Sequence, residues 1–180
     1  FSSDILATNW ALAILSGVSQ LYEAQTNASI SVSSIYVWNT TDPYAAYIND
    51  AGNMLDALAN HWQTNNSGIP RDLVHLLSKR SNTGTGGIAW LNALCSNSIG
   101  YGFSSAMNNT TTFNFPNPTY TWNLNVVSHE IGHNFGADHT HWCGWNADAS
   151  LGFSGGGIDD CGVQSGSSTA CTPPAPTPSG

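Results

Sequence analysis

Leu6, Trp10, Ile14, Gly17 and Leu21 recur every three to four positions. That spacing gives a helix one apolar face, so residues 3 to 25 are predicted to form a long amphipathic helix. Between residues 30 and 38 the period changes to two. Ile30, Val32, Ser34 and Tyr36 alternate with Ser31, Ser33, Ile35 and Val37, which predicts a strand buried more fully toward its end. Asp42-Pro43 offers a cap and a first-turn proline for a second helix. This helix would carry Tyr44, Ile48, Leu55, Leu58 and Trp62 on one side and close at the turn Asn65-Asn66-Ser67-Gly68. The short apolar run 72 to 78 has the character of a central parallel strand. Two glycines introduce a strand from Ile88 to Leu91, and Tyr101 to Met107 supplies another. After a loop containing Pro116 and Pro118, a helix is predicted from about Thr121 to Phe135. Helix, strand, helix, three strands and helix is an α/β order, with the last helix packed on the sheet.

Composition narrows the class. The 180 residues are one domain's worth and enough to bury a core. Charged residues make up only 8%, against about 25% in an average soluble protein, so the surface is built largely from Asn, Ser, Thr and Gly. Eleven Asp and Glu against three Lys and Arg give a net charge of -8, which repels phosphate backbones and anionic membranes and argues against a nucleic-acid partner. No run of about 18 apolar residues exists to span a membrane, and Phe1 does not open a signal peptide. The four cysteines, Cys95, Cys143, Cys161 and Cys171, lack the close pairs of a zinc ribbon. Three of them fall in a Gly/Ser-rich segment with little core, where cross-links stabilise most, so disulfides and an oxidising, extracellular or periplasmic compartment are expected. The sequons at Asn27, Asn39 and Asn109 fit export.

Residues 129 to 139 carry the chemistry. They read His129-Glu130-Ile131-Gly132-His133-Asn134-Phe135-Gly136-Ala137-Asp138-His139. On a helix, His129 and His133 lie on consecutive turns of one face and can direct a ring nitrogen at one ion. Glu130 sits beside that ion without binding it and can take a proton from the attacking water. Gly136 suits a left-handed helix end, after which a sharp turn can return His139 as third ligand. Three protein ligands leave one tetrahedral position of zinc open, the mark of a catalytic site.

The extended pattern HExxHxxGxxH resembles the metzincin zinc endopeptidases. The nearer likeness is to the reprolysin (adamalysin) type, supported by Asp72-Leu73-Val74-His75-Leu76-Leu77, by Gly86-Gly87-Ile88-Ala89-Trp90-Leu91 and by Cys95. The resemblance implies a metzincin-like (zincin) α/β fold: a mixed twisted sheet, long helices that include the zinc helix, and a small irregular C-terminal subdomain. Its catalytic domain would cover 1–171, with an upper part to about 136 and a lower part at 137–171, followed by a Pro-rich extended tail at 172–180. The resemblance also implies one Zn²⁺ held by His129, His133 and His139, Glu130 as general base, and Gly87, Ile88, Ala89 and Trp90 as the edge along which a protein or peptide substrate lies. The chain departs from the family in places. Both methionines, Met54 and Met107, precede His129, so no methionine turn follows the third histidine, and Thr140 stands where reprolysins carry Asp. A first strand before Phe1 and the floor of the S1′ pocket after Gly180 are accordingly expected to lie outside this sequence.

Other candidates are weaker. His75 in an apolar strand reads as a sheet histidine, and His61 as a partner of a helix C-terminus. His141 could compete with His139, but the spacing favours His139. Trp142, Trp145 and Phe153 read as cover for the lower part. Asp159-Asp160 after three glycines could take Ca²⁺, although it lacks the alternating carboxylates of a calcium loop. A zincin that uses a downstream glutamate as third ligand is closed to this chain, whose only glutamates are Glu23 and Glu130. The competing reading is an inactive protease-like binding or adhesion module. Retention of Glu130 speaks against it.

Overall fold

The computed structural model describes residues 1–116, 121–142 and 145. Contacts divide the chain into Phe1–Ala137 and Asp138–Gly180; in the first unit lie three helices and a small mixed sheet. Helix α1 spans Asp4–Thr26, capped by Ser3, whose hydroxyl accepts the Leu6 N–H, and ended by Asn27 in the left-handed region. Of its predicted apolar stripe, Trp10, Ile14 and Gly17 are buried together with Ala11 and Val18, while Leu6 is exposed. The helix is long and apolar enough to cross a membrane by length and composition, in contrast to the sequence expectation, but its buried stripe packs with Leu124, Val127 and Ile131 of the last helix.

Helix α2 spans Ala51–Asn65, later than Asp42-Pro43 predicts. Asp42 instead closes a turn by accepting the Tyr44 N–H at 2.8 Å. Asn49 at φ +53 interrupts any helix before Asp50, which caps the observed one. Ile48, placed by its spacing on the apolar face, is therefore in a loop and 57% exposed.

Strands β1 (Val74–Leu77), β2 (Gly87–Ala89) and β3 (Tyr101–Ser104) form a sheet in the order β1-β3-β2. β1 runs parallel to β3 and β2 antiparallel to it. The central strand is thus β3, whose four residues are all buried, and not the 72–78 run, which lies at an edge. Residues 30–38 form no strand either; they are extended, but no strand among the described residues pairs with them. Between them and β1 lies a largely apolar cavity of about 1030 Å³, reached by Phe1, Trp10, Leu15, Tyr36 and Trp62.

Side-chain alternation splits the sheet into two unlike faces. Val74, Leu76, Ile88, Tyr101 and Phe103 pack with Met54, Leu55 and Leu58 of α2. The opposite face offers Gly87, Ala89, Gly102 and Ser104, in the register Gly87↔Ser104 and Ala89↔Gly102. Such small residues let a helix approach the sheet closely. Helix α3 (Trp122–Asn134) takes this face. A Cβ added at Gly86 would fall 2.7 Å from the Trp122 ring, and one at Gly102 would fall 3.3 Å from Asn134 Oδ1.

His75 projects to the same face, as the sheet-histidine reading expects. Its Nε2 lies 2.9 Å from Ser104 Oγ, and its Nδ1 is buried without a hydrogen-bond partner. Burial lowers its pKa from 6.5 to about 4. Between those values the unfolded chain takes up a proton that the folded one refuses. Stability is therefore complete above pH 6.5 and falls toward pH 4, by at most about 3 kcal/mol. The full amount is an upper bound because the side chain retains partial exposure toward the cavity. His75→Gln keeps a polar partner for Ser104 and removes the titration. Urea unfolding at several pH values should give a shallower acid slope for the variant than for the parent; equal slopes would place the titrating group elsewhere.

Candidate metal centre

The candidate metal-binding segment is the C-terminal half of α3. Thr121 caps the helix by accepting the Leu124 N–H, and the apolar residues Leu124, Val127 and Ile131 bury one side of it. Its end is a Schellman turn, in which Ala137 N–H donates to Gly132 O and Gly136 N–H to His133 O, both at 2.9 Å. Gly136 has φ +97, the left-handed conformation that its place in the motif predicts. The segment after β2 satisfies the last carbonyls, with Asn92 N–H donating to His133 O at 2.9 Å and Ala93 N–H to Asn134 O at 2.8 Å.

His129 and His133 face each other, with their Nε2 atoms 3.1 Å apart. The outer nitrogen of His133, Nδ1, lies 2.7 Å from the Ala137 carbonyl and donates to it. That bond selects the neutral tautomer whose Nε2 lone pair is available to a metal. Nitrogens bound at 2.0–2.1 Å to one tetrahedral zinc stand about 3.4 Å apart, so the 3.1 Å between the two Nε2 atoms suits this pair to that metal. His139, the third expected ligand, belongs to the second unit. Within the second unit, His139 stacks on His141 with ring centroids 5.1 Å apart, and its carbonyl accepts the Trp145 indole N–H at 2.8 Å.

Glu130 lies on the buried side of the same helix, only 5% exposed. Burial pushes its carboxyl up to about 7. The space it occupies exists because residue 87 has no side chain; a Cβ there would lie 2.7 Å from both Glu130 Cγ and Oε1. One turn further on, fully buried Asn134 donates from Nδ2 to Trp90 O at 2.9 Å and to Tyr101 O at 3.1 Å. It thus ties the end of α3 to β3 and to the residue that follows β2. Sequence reasoning did not single out Asn134. The available signal was its position four residues after Glu130, a polar side chain on the buried face.

Gly87, Ile88 and Ala89 form β2 at the edge of the sheet, and Trp90 follows it. Cys95 has a free, exposed thiol that donates to Asp72 Oδ1 at 3.3 Å. The disulfide expectation for Cys143, Cys161 and Cys171, the cover expected from Phe153 and the calcium expectation at Asp159-Asp160 all fall outside the described residues.

A helix-borne pair of histidines with facing Nε2 atoms, on a helix that also carries a buried glutamate, fits the site of a metallopeptidase. Residues 1–175 match the reprolysin form of metallo-peptidase family M12, and the chain belongs to that family. The family implies zinc. No curated protein matches the chain.

Proposed function

We propose that the protein is a zinc-dependent endopeptidase that hydrolyses internal peptide bonds of protein or peptide substrates. The observation that carries this reading is the pair of facing Nε2 atoms on His129 and His133, on the helix whose buried side carries the Glu130 carboxyl. His129, His133 and His139 would hold the metal. Zinc, when bound, supplies the Lewis acidity that polarises water and the scissile carbonyl. Glu130 accepts the proton of the attacking water on a carboxylate oxygen and delivers it to the leaving amine. Its buried setting favours this task, since a carboxyl raised toward neutrality both takes up and releases a proton near the working pH.

The outer edge of β2 would receive the substrate as an added strand, with Gly87, Ile88, Ala89 and Trp90 supplying backbone hydrogen bonds. The net charge of -8 is consistent with a partner other than nucleic acid or an anionic membrane, and an exported location is part of the same proposal. Cleavage of an unfolded protein such as denatured casein tests the reading. Internal cuts should appear, cease with a chelator and return with added zinc. Cleavage indifferent to the chelator, or none with the metal bound, rejects it.

A further inference from the structure

We propose that Gly87 is a positioning residue for Glu130: the missing side chain at this point of β2 sets where the Glu130 carboxylate stands. The proposal rests on the reading of Glu130 as general base and assigns to Gly87 a role distinct from pairing with substrate. The geometry is direct. A methyl group at position 87 would come within 2.7 Å of Glu130 Cγ and Oε1 and equally close to the Phe103 carbonyl on β3. The strand partner Ser104 is fully buried, and Glu130 is 5% exposed. Trp122 closes over Gly86 beside it, and Asn134 anchors the helix one turn beyond. With α3 held at both ends, Glu130 has to move when the space at 87 is filled. The displacement falls on the carboxylate, whereas the histidines project from other positions of the helix. A misplacement of about 1 Å at a reacting group can cost about 10²-fold in rate.

Two cycles of variants test this. In the first, the melting temperature is read for the parent, Gly87→Ala, Glu130→Ala and the double variant. Gly87→Ala should lower it, and Glu130→Ala, by removing both Cγ and the carboxylate, should return part of that drop. An equal drop in both backgrounds overturns the proposal, because the Phe103 carbonyl would then be the neighbour that matters. If Gly87→Ala does not fold, the double variant should; failure of both overturns the proposal in the same way.

In the second cycle, kcat, KM and bound zinc are read for Gly87→Ala, Glu130→Asp and their combination. Gly87→Ala should retain zinc and keep KM within about twofold while losing about 10²-fold in kcat. The shorter carboxylate of Glu130→Asp should cost less in the Gly87→Ala background than in the parent, where glycine stands beside it. Losses that simply multiply, or a Gly87→Ala enzyme with the parent kcat, overturn the proposal. If Glu130 proves not to be the base, Glu130→Gln remains active while the thermal cycle still reports the contact, so the two failures are told apart.

Discussion

Glu130→Gln is expected to lower peptidase turnover by roughly 10²–10⁴-fold while leaving bound zinc at the parent level. The carboxamide has nearly the shape of the carboxylate, so it fits the space left by Gly87. What it lacks is a basic oxygen able to take a proton from water near neutral pH. Metal retention should survive because the proposed donors are His129, His133 and His139, with Glu130 outside the set. Folding should survive as well. Burial disfavours the charged form of Glu130, and a neutral amide escapes that desolvation cost, so the melting temperature should equal or exceed the parent's. Elemental analysis for zinc, a cleavage assay and a thermal melt on one preparation check all three. Turnover within tenfold of the parent would mean that another group activates the water. Loss of zinc would mean that Glu130 takes part in binding it.

His133→Ala should produce the opposite pattern, in which the metal is lost and activity goes with it. Its Nε2 stands 3.1 Å from that of His129, and its Nδ1 is tied to the Ala137 carbonyl at 2.7 Å. The substitution removes both a donor and the bond that orients it. Loss of an outer-shell partner already costs about 10–100-fold in metal affinity, so loss of the ligand itself should cost more. A ligand that binds only the folded state also raises stability by mass action. A chelator should therefore lower the melting temperature of the parent and leave that of His133→Ala unchanged. His141→Ala should keep its zinc, since the HxxGxxH spacing makes His139 and not His141 the proposed third ligand. Zinc retained by His133→Ala, or lost by His141→Ala, would redraw the ligand set.

The candidate ligand pair His129 and His133, with Glu130 between them, was legible in the sequence because its parts are local. His129, Glu130 and His133 share one helix, whose period of 3.6 residues fixes their relation without reference to any other element. Gly136 was legible for the same reason, since a left-handed helix end is a property of a few consecutive residues, and it has φ +97. The stripe of α1 followed from periodicity in the same way, and β1 and β2 from a short apolar run and from the two glycines that introduce the second of them.

Relations between distant segments could not be read from the sequence. Alternation made 30–38 look like a strand, but a strand exists only where a neighbour accepts its hydrogen bonds, and here a cavity stands beside it. β3 became the centre of the sheet because Tyr101 and Phe103 meet α2 while Gly102 and Ser104 meet α3, a division visible only once both helices are in place. Asp42 spent its capping oxygen on a turn, which moved the start of α2 to Ala51. The burial of Glu130 against Gly87 and the clamp of Asn134 on Trp90 and Tyr101 join residues more than 30 positions apart in the chain. By itself the sequence determined that two histidines and a glutamate, candidates to bind a metal and take a proton, share one helix. The close approach of α3 to a glycine-lined sheet decided where the carboxylate stands and how far it is shielded from water, because desolvation and steric exclusion depend on every neighbour in space and not on spacing along the chain.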